Sequence, residues 1–238
     1  MRRSSRAGWV PALLALLPCA RALRLAPCGV LTADTVLDDR EEYMLGCQLY
    51  VPAGLTLNIS AGTTIVALEQ GNAPAIIIER GGVIHAIGTL ERPITLTAIN
   101  PFASANASVS TDSRAAEHVV MGKRGKWGGL VVLGRAPINA ASGVNQIEAL
   151  RGPLYGGADP GYGGTDPDDA SGSLRYVRIW HAGAVVSEDE EINGLTLAGV
   201  GAGTLVDHVE VSYSLDDGVE LFGGTVRLRR EHARGARC

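Results

Sequence analysis

Apolar residues recur along this chain in short runs with a β-branched bias: LTLNIS, TTIVAL, AIIIE, GVIHAIG, PITLTA, GGLVVLG, LRYVRIW, GLTLAG, DHVEVSY and GVELFGG. Glycine, aspartate, asparagine or proline separates one run from the next. The 3.6-residue recurrence of an amphipathic helix is almost absent, so the pattern predicts an all-β chain of many short strands. Two stretches superpose at a spacing of 19 residues: Leu57 falls over Ile76, Ile59 over Ile78, Gly62 over Gly81, Ile65 over Ile84 and Ala67 over Ala86. A self-match of this kind signals stacked coils. Further on, LRYVRI matches DHVEVS in phase, with Val177 over Val209 and Ile179 over Val211 and with INGLTLAG between them, which predicts a longer coil in the second half.

A parallel β-helix satisfies these patterns. Each strand pairs with its equivalent one coil away, inward aliphatic side chains stack, and glycines and short polar residues make the corners. A β-sandwich also uses short alternating strands, but it gives no reason for a fixed spacing with glycine in register. The β-helix is expected over residues 49–226, preceded by a cap over residues 23–48. Two stretches do not fit the coil and should project from it, residues 100–126 and residues 139–172. Long excursions of this sort carry function or are disordered, which makes them places to look for a binding surface.

At the start of the chain, Arg2, Arg3 and Arg6 precede an apolar run, and Ala20-Arg21-Ala22 supplies a small-x-small cleavage site. This predicts a secretory signal peptide over residues 1–22 and an exported protein. The run is broken by prolines and too short for a membrane anchor, and no later segment predicts a transmembrane span. Cleavage would take four of the 21 basic residues and none of the 25 acidic ones, leaving a net charge of −8. Nucleic acid is an unfavourable partner for such a surface.

Of the four cysteines, Cys19 would leave with the signal peptide. An oxidising destination makes a Cys28–Cys47 disulfide the natural pairing, with Cys238 left over; a free buried thiol at Cys47 is the alternative. Asn58 and Asn106 stand in glycosylation sequons.

The blocks GLTLNISAGTTI, GGVIHAIGTLERPITLTA, KWGGLVVLGRAPIN, LYGGADP, SGSLRYVRIWHAG, EINGLTLAGVGAGT and DDGVELFGGTV together resemble a family of secreted or lipid-anchored bacterial cell-surface proteins. These are right-handed parallel β-helices related in fold to the pectate-lyase-like superfamily. The resemblance runs from about Gly29 to Val226 and implies fold and location without assigning a chemistry. In relatives the β-helix continues beyond the FGGTV block, whereas this chain turns into RLRREHARGARC. That departure predicts a truncated coil and a basic tail over residues 227–238 that is foreign to the fold.

Polysaccharide hydrolases and lyases of this fold use clustered carboxylates, either as acid and base or to hold calcium beside a basic residue. Asp216, Asp217 and Glu220, with His208 on a neighbouring coil, are the catalytic candidates under that scheme. Adjacent residues of an extended strand point to opposite faces, so Asp216 and Asp217 can share a substrate only if the chain turns there. A corner with solvated or calcium-bridging acids is the favoured alternative. Asp159, Asp166, Asp168 and Asp169 are the candidate calcium ligands by density. An EF-hand is excluded, because counting from Asp166 its sixth and twelfth places hold Ser171 and Val177. Glu188, Asp189, Glu190 and Glu191 read as a loop kept in water. No GxSxG or phosphate-cradling GxxxxGK occurs.

Tyr155, Tyr162, Tyr176, Trp180 and Tyr213 offer sugar-stacking platforms if they face outward. The expected function is thus a structural, adhesive or glycan-binding surface module with a polysaccharide partner. The rival is a calcium-dependent lyase or glycoside hydrolase acting on acidic glycans.

Overall fold

The computed structural model describes residues 21–69, 73–98, 123–147, 150, 161–187 and 190–235. The first three coils contain β1 (Ala22–Leu25), β2 (Gly29–Val30), β3 (Thr35–Leu37), β4 (Glu41–Leu45), β5 (Gln48–Val51), β6 (Thr56–Ile59), β7 (Thr64–Ala67), β8 (Ala75–Ile78) and β9 (Val83–Ile87), and β10 (Ile94–Thr97) opens the fourth. Next come β11 (Gly129–Leu133), β12 (Asn145–Gln146), β13 (Gly161–Tyr162), β14 (Gly172–Trp180), β15 (Val185–Ser187) and β16 (Glu190–Glu191). The chain continues through β17 (Leu195–Ala198), β18 (Leu205–Ser212), β19 (Val219–Phe222), β20 (Arg227–Arg229) and β21 (His232–Arg234).

Among the described residues, apart from two short antiparallel pairs, β12 with β13 and β15 with β16, every pairing is parallel and joins a strand to its counterpart one coil away. One face of the coil is the ladder β2-β5-β8-β11-β17-β19. The other two are the ladders β3-β6-β9 and β1-β4-β7-β10, which fuse on the nine-residue β14. Its first half pairs with β9 and its second half with β10. This is the parallel β-helix that the alternation of apolar and polar positions predicts.

The interior is aliphatic, because each strand turns one side of its alternation inward. Ile59, Ala86, Leu174 and Val206 stack on one wall, Ile65, Leu96, Ile179 and Val211 on the second, and Leu49, Ile76, Leu130 and Leu195 on the third, all buried. Trp127 is also buried in this core, and its Nε1 donates to the Trp180 carbonyl at 2.8 Å.

Val177 pairs with Val209 and Ile179 with Val211, the register read from the sequence. The 19-residue match of the first half has a different meaning. Leu57 pairs with Ile84 and Ile76 with Leu49, so Leu57 and Ile76 lie on different faces of the coil. The match arises because successive corners reuse one turn: Gly62 and Gly81 both take a left-handed φ, of 84° and 81°. The glycine one coil from Gly81 is Gly54, whose N–H donates to the Gly81 carbonyl at 2.9 Å.

Residues 227–235, expected to stand outside the fold, lie along it. β20 and β21 pair in parallel with the two halves of β18. Likewise β1 starts at Ala22, the last residue of the stretch read as a signal peptide, and pairs with β4, so the coil already runs through the stretch read as a cap. Cys28 and Cys47 form the expected disulfide, with Cα atoms 5.7 Å apart.

A second apolar cluster covers the outer side of the ladder that contains β11. Tyr50, Ile77, Val131 and Ala198 of its strands meet Ile147, Leu150 and Tyr162 of the second excursion. That outer face is therefore closed by the chain itself.

Candidate functional site

The long strands bend between their two halves, and the bends stack in register. Tyr176, His208 and Arg230 occupy equivalent places on three successive coils with φ of 49°, 55° and 55°. A single left-handed residue turns each strand through the corner. In the preceding coil the same corner is the longer turn from Gly88 to Pro93, where Gly88 N–H reaches the Arg175 carbonyl at 2.8 Å. The longer turn overhangs the short bends and leaves a groove of about 260 Å³. Leu90 and Pro93 form one side; Tyr176, Arg178, His208, Glu210, Arg230 and His232 supply its polar groups.

Packing orients these groups. The Tyr176 and His208 rings stack with centroids 4.3 Å apart and an 18° angle between planes. Arg175 lies over Tyr176 at 5.4 Å, and Arg178 over Trp180 at 5.7 Å. Tyr213 stacks on His181 at 5.5 Å, and Tyr162 is buried against Phe222. Each of these rings thus has a neighbour within the protein that fixes its orientation. Tyr155 lies outside the described residues.

Charge is arranged around two carboxylates. Glu210 receives Trp180 Nε1 and Ser212 Oγ, both at 3.1 Å, and pairs with Arg178 at 3.5 Å. Asp207 is buried and meets Arg230 at 2.9 Å, His208 Nδ1 at 3.0 Å and Arg175 at 3.6 Å. Burial raises the Asp207 carboxyl, but the Arg230 hydrogen bond and the nearby His208 outweigh it, so the group lies below its ordinary value. Both carboxylates are surrounded by donors, and the Arg178 and Arg230 side chains border open space in an otherwise acidic body.

Asp216, Asp217 and Glu220 form a separate corner before and within β19. The chain bends at Leu215, Asp216 and Gly218, which supplies the turn that the pair requires. Burial and then repulsion from Asp217 and Asp216 push the Glu220 carboxyl up, against the pull of Asn193 Nδ2, which donates to Glu220 Oε2. His208 stands on β18, on a different face, so the structure does not bring it to these acids.

The candidate calcium ligands have local tasks. Asp166 Oδ1 accepts from the Asp168 amide at 3.1 Å, and Asp169 Oδ2 accepts from Ser171 Oγ at 3.2 Å, where Asp169 is buried. Among the described residues no three His, Cys, Asp or Glu side chains converge as a metal site. Asp159 and Asn106 lie outside the described residues. Asn58 is half-buried on β6 between Val36 and His85 of the adjacent coils. Glu190 and Glu191 form β16, which folds back on β15.

The sequence profile of the pectate-lyase like β-helix domain matches residues 29–230. The chain belongs to the pectate-lyase-like β-helix family. Neither curated proteins nor solved structures yield a match to this β-helix domain. No helix among the described residues of the domain is long and apolar enough to cross a membrane.

Two features of the β-helix domain escape sequence reasoning. Arg178, Glu210 and Arg230 form no group in the sequence, because their spacings of 32 and 20 residues resemble no motif until the bends are in register. The corner ladder is equally silent. Left-handed backbone is usually signalled by Gly or Asn, and Tyr, His and Arg give no such sign.

Proposed function

We propose that the protein is an exported β-helix module that binds an acidic glycan, without turnover, in the groove beside Tyr176 and His208. The observation that carries this reading is the pair of guanidiniums, Arg178 and Arg230, bordering an open groove whose carboxylates already have donors. Guanidinium forks match the planar carboxylates and sulfates of acidic sugars. The pectate-lyase-like family supports a polysaccharide partner, and the Cys28–Cys47 disulfide supports an oxidising destination. The signal-peptide reading of residues 1–22 makes that destination extracellular.

Calorimetric titration with oligogalacturonate and with a neutral oligosaccharide of equal length tests the reading. The acidic probe should bind, the neutral one should not, and Arg178→Ala should weaken binding about tenfold, in line with the loss of one charge-assisted contact. Equal binding of both probes, or none, overturns it.

Glu220 favours a second reading. A carboxyl raised by burial beside two further acids resembles an acid and base pair whose members titrate apart. Under this reading the corner cleaves the glycan, and reducing-sugar or unsaturated-product assays should show turnover that Asp217→Ala abolishes with the fold intact. Binding without turnover excludes it.

A further inference from the structure

Glu231 is misplaced for a β-helix. One coil on from Val177 and Val209, in the same inward column, stands a carboxylate where the two previous coils have valine. Both of its oxygens are buried and neither makes a hydrogen bond of ordinary geometry. An ionised carboxylate in such a place is strongly disfavoured unless paired. The coil that carries it is slight, with two strands of three residues each. It is held by the Arg230–Asp207 contact and by the packing of Val226 and Leu228 on the core. The same coil supplies Arg230 and His232 to the groove.

We propose that residues 227–235 are a proton-operated wall of the groove: they dock on β18 while the Glu231 carboxyl is neutral and release when it ionises. The groove is then complete in acid and loses one side towards alkaline pH.

The charged groups on the elements around Glu231 are few. β18 presents Asp207, His208 and Glu210, opposite Arg229, Arg230 and His232 of the docked coil. β14 carries Arg175, Tyr176 and Arg178, whose Arg175 and Arg178 already face Asp207 and Glu210. Burial raises Glu231 to about 7 and Asp207 adds to the rise, while the amides of Val209 and Arg229 pull the other way. A carboxyl raised in the folded state stabilises docking fully below its ordinary value of 4.5. That contribution is lost as pH rises through about 7.

The glycan reading enters only as a second arm of the test. In the first arm, amide hydrogen exchange is followed on the full chain without ligand from about pH 5 to about pH 8, corrected for intrinsic exchange and referenced to β17. Protection of residues 227–235 should fall about tenfold or more across that range, and Glu231→Gln should stay protected throughout. A flat profile in the unmodified protein overturns the proposal even if the variant fails to fold. An unchanged slope in Glu231→Gln also overturns it, because Asp207, His208 or His232 would then be responsible. In the second arm, oligogalacturonate affinity is measured at both ends of the range. Weakening with rising pH that Glu231→Gln relieves supports the coupling, as does slower exchange of the coil with probe bound. An exchange shift without probe binding leaves the wall standing and removes the glycan reading. Binding without an exchange shift does the reverse.

Discussion

His181 is a buried imidazole at a left-handed corner, with φ of 63°, and it shares that place with Tyr213 at 61° and Gly235 at 63° on the next two coils. Thr97 Oγ1 lies 3.0 Å from its Nδ1, and its Nε2 is buried without a hydrogen-bond partner among the described residues. Burial, with Lys123 adding to it, lowers the group from 6.5 to about 4. The neutral ring therefore stabilises the fold fully above pH 6.5, and that contribution is lost as pH falls through about 4. The thermal midpoint should drop across this interval in the unmodified protein. His181→Asn, which tolerates left-handed backbone, should flatten the dependence; a midpoint that falls equally steeply in the variant would refute the assignment. The sequence could not show this role, since it depends on a ring stack that exists only when the coils are in register. His181 and Glu231 thus act in opposite directions, the first weakening the corner in acid and the second the last coil towards alkaline pH.

At the scale of the strand, β14 joins ladders that the earlier coils keep apart. Gly172 begins it with φ of 116°, and a methyl group there would sit 1.9 Å from the Ile84 carbonyl oxygen. That contact cannot be relieved by rotating a side chain, because the obstruction is backbone. Gly172→Ala should destabilise the protein by about 2–4 kcal/mol in urea unfolding. A change under about 0.5 kcal/mol would mean that β9 and β14 can separate freely. The strands themselves were legible from their period-two alternation, and the in-phase pairs Val177 with Val209 and Ile179 with Val211 were legible as register. Coil length in the first half was not, because Gly62 and Gly81 repeat one turn at two different corners and mimic a full coil. The acids at 216, 217 and 220 were recognisable as a cluster. Their separation from His208 was not, since face membership follows from the fused ladders and leaves no trace in spacing.

Across the molecule, the Cys28–Cys47 disulfide spans a sequence separation of 19 at the first coils, where exposed Leu23, Leu25, Val30 and Val36 leave little core to hold the chain. Cross-linking over such a distance constrains the unfolded chain by about 3 kcal/mol. Cys28→Ser should lower unfolding stability by roughly that amount in denaturant titration, with exchange quickening first in β1 to β3. An unchanged midpoint would show that the coil needs no staple there.

The three walls are unequal in what they can do. One is upholstered on the outside by Ile147, Leu150 and Tyr162, so its exterior cannot change without disturbing a packed layer. The bend shared by Tyr176, His208 and Arg230 has no such lining: its side chains project from residues whose neighbours, Val177 and Val209, do the inward packing. Exchanging what stands at that edge rewrites the protein's outward chemistry while the spine behind it stays the same, which makes the edge the place where a change of partner would cost the fold least.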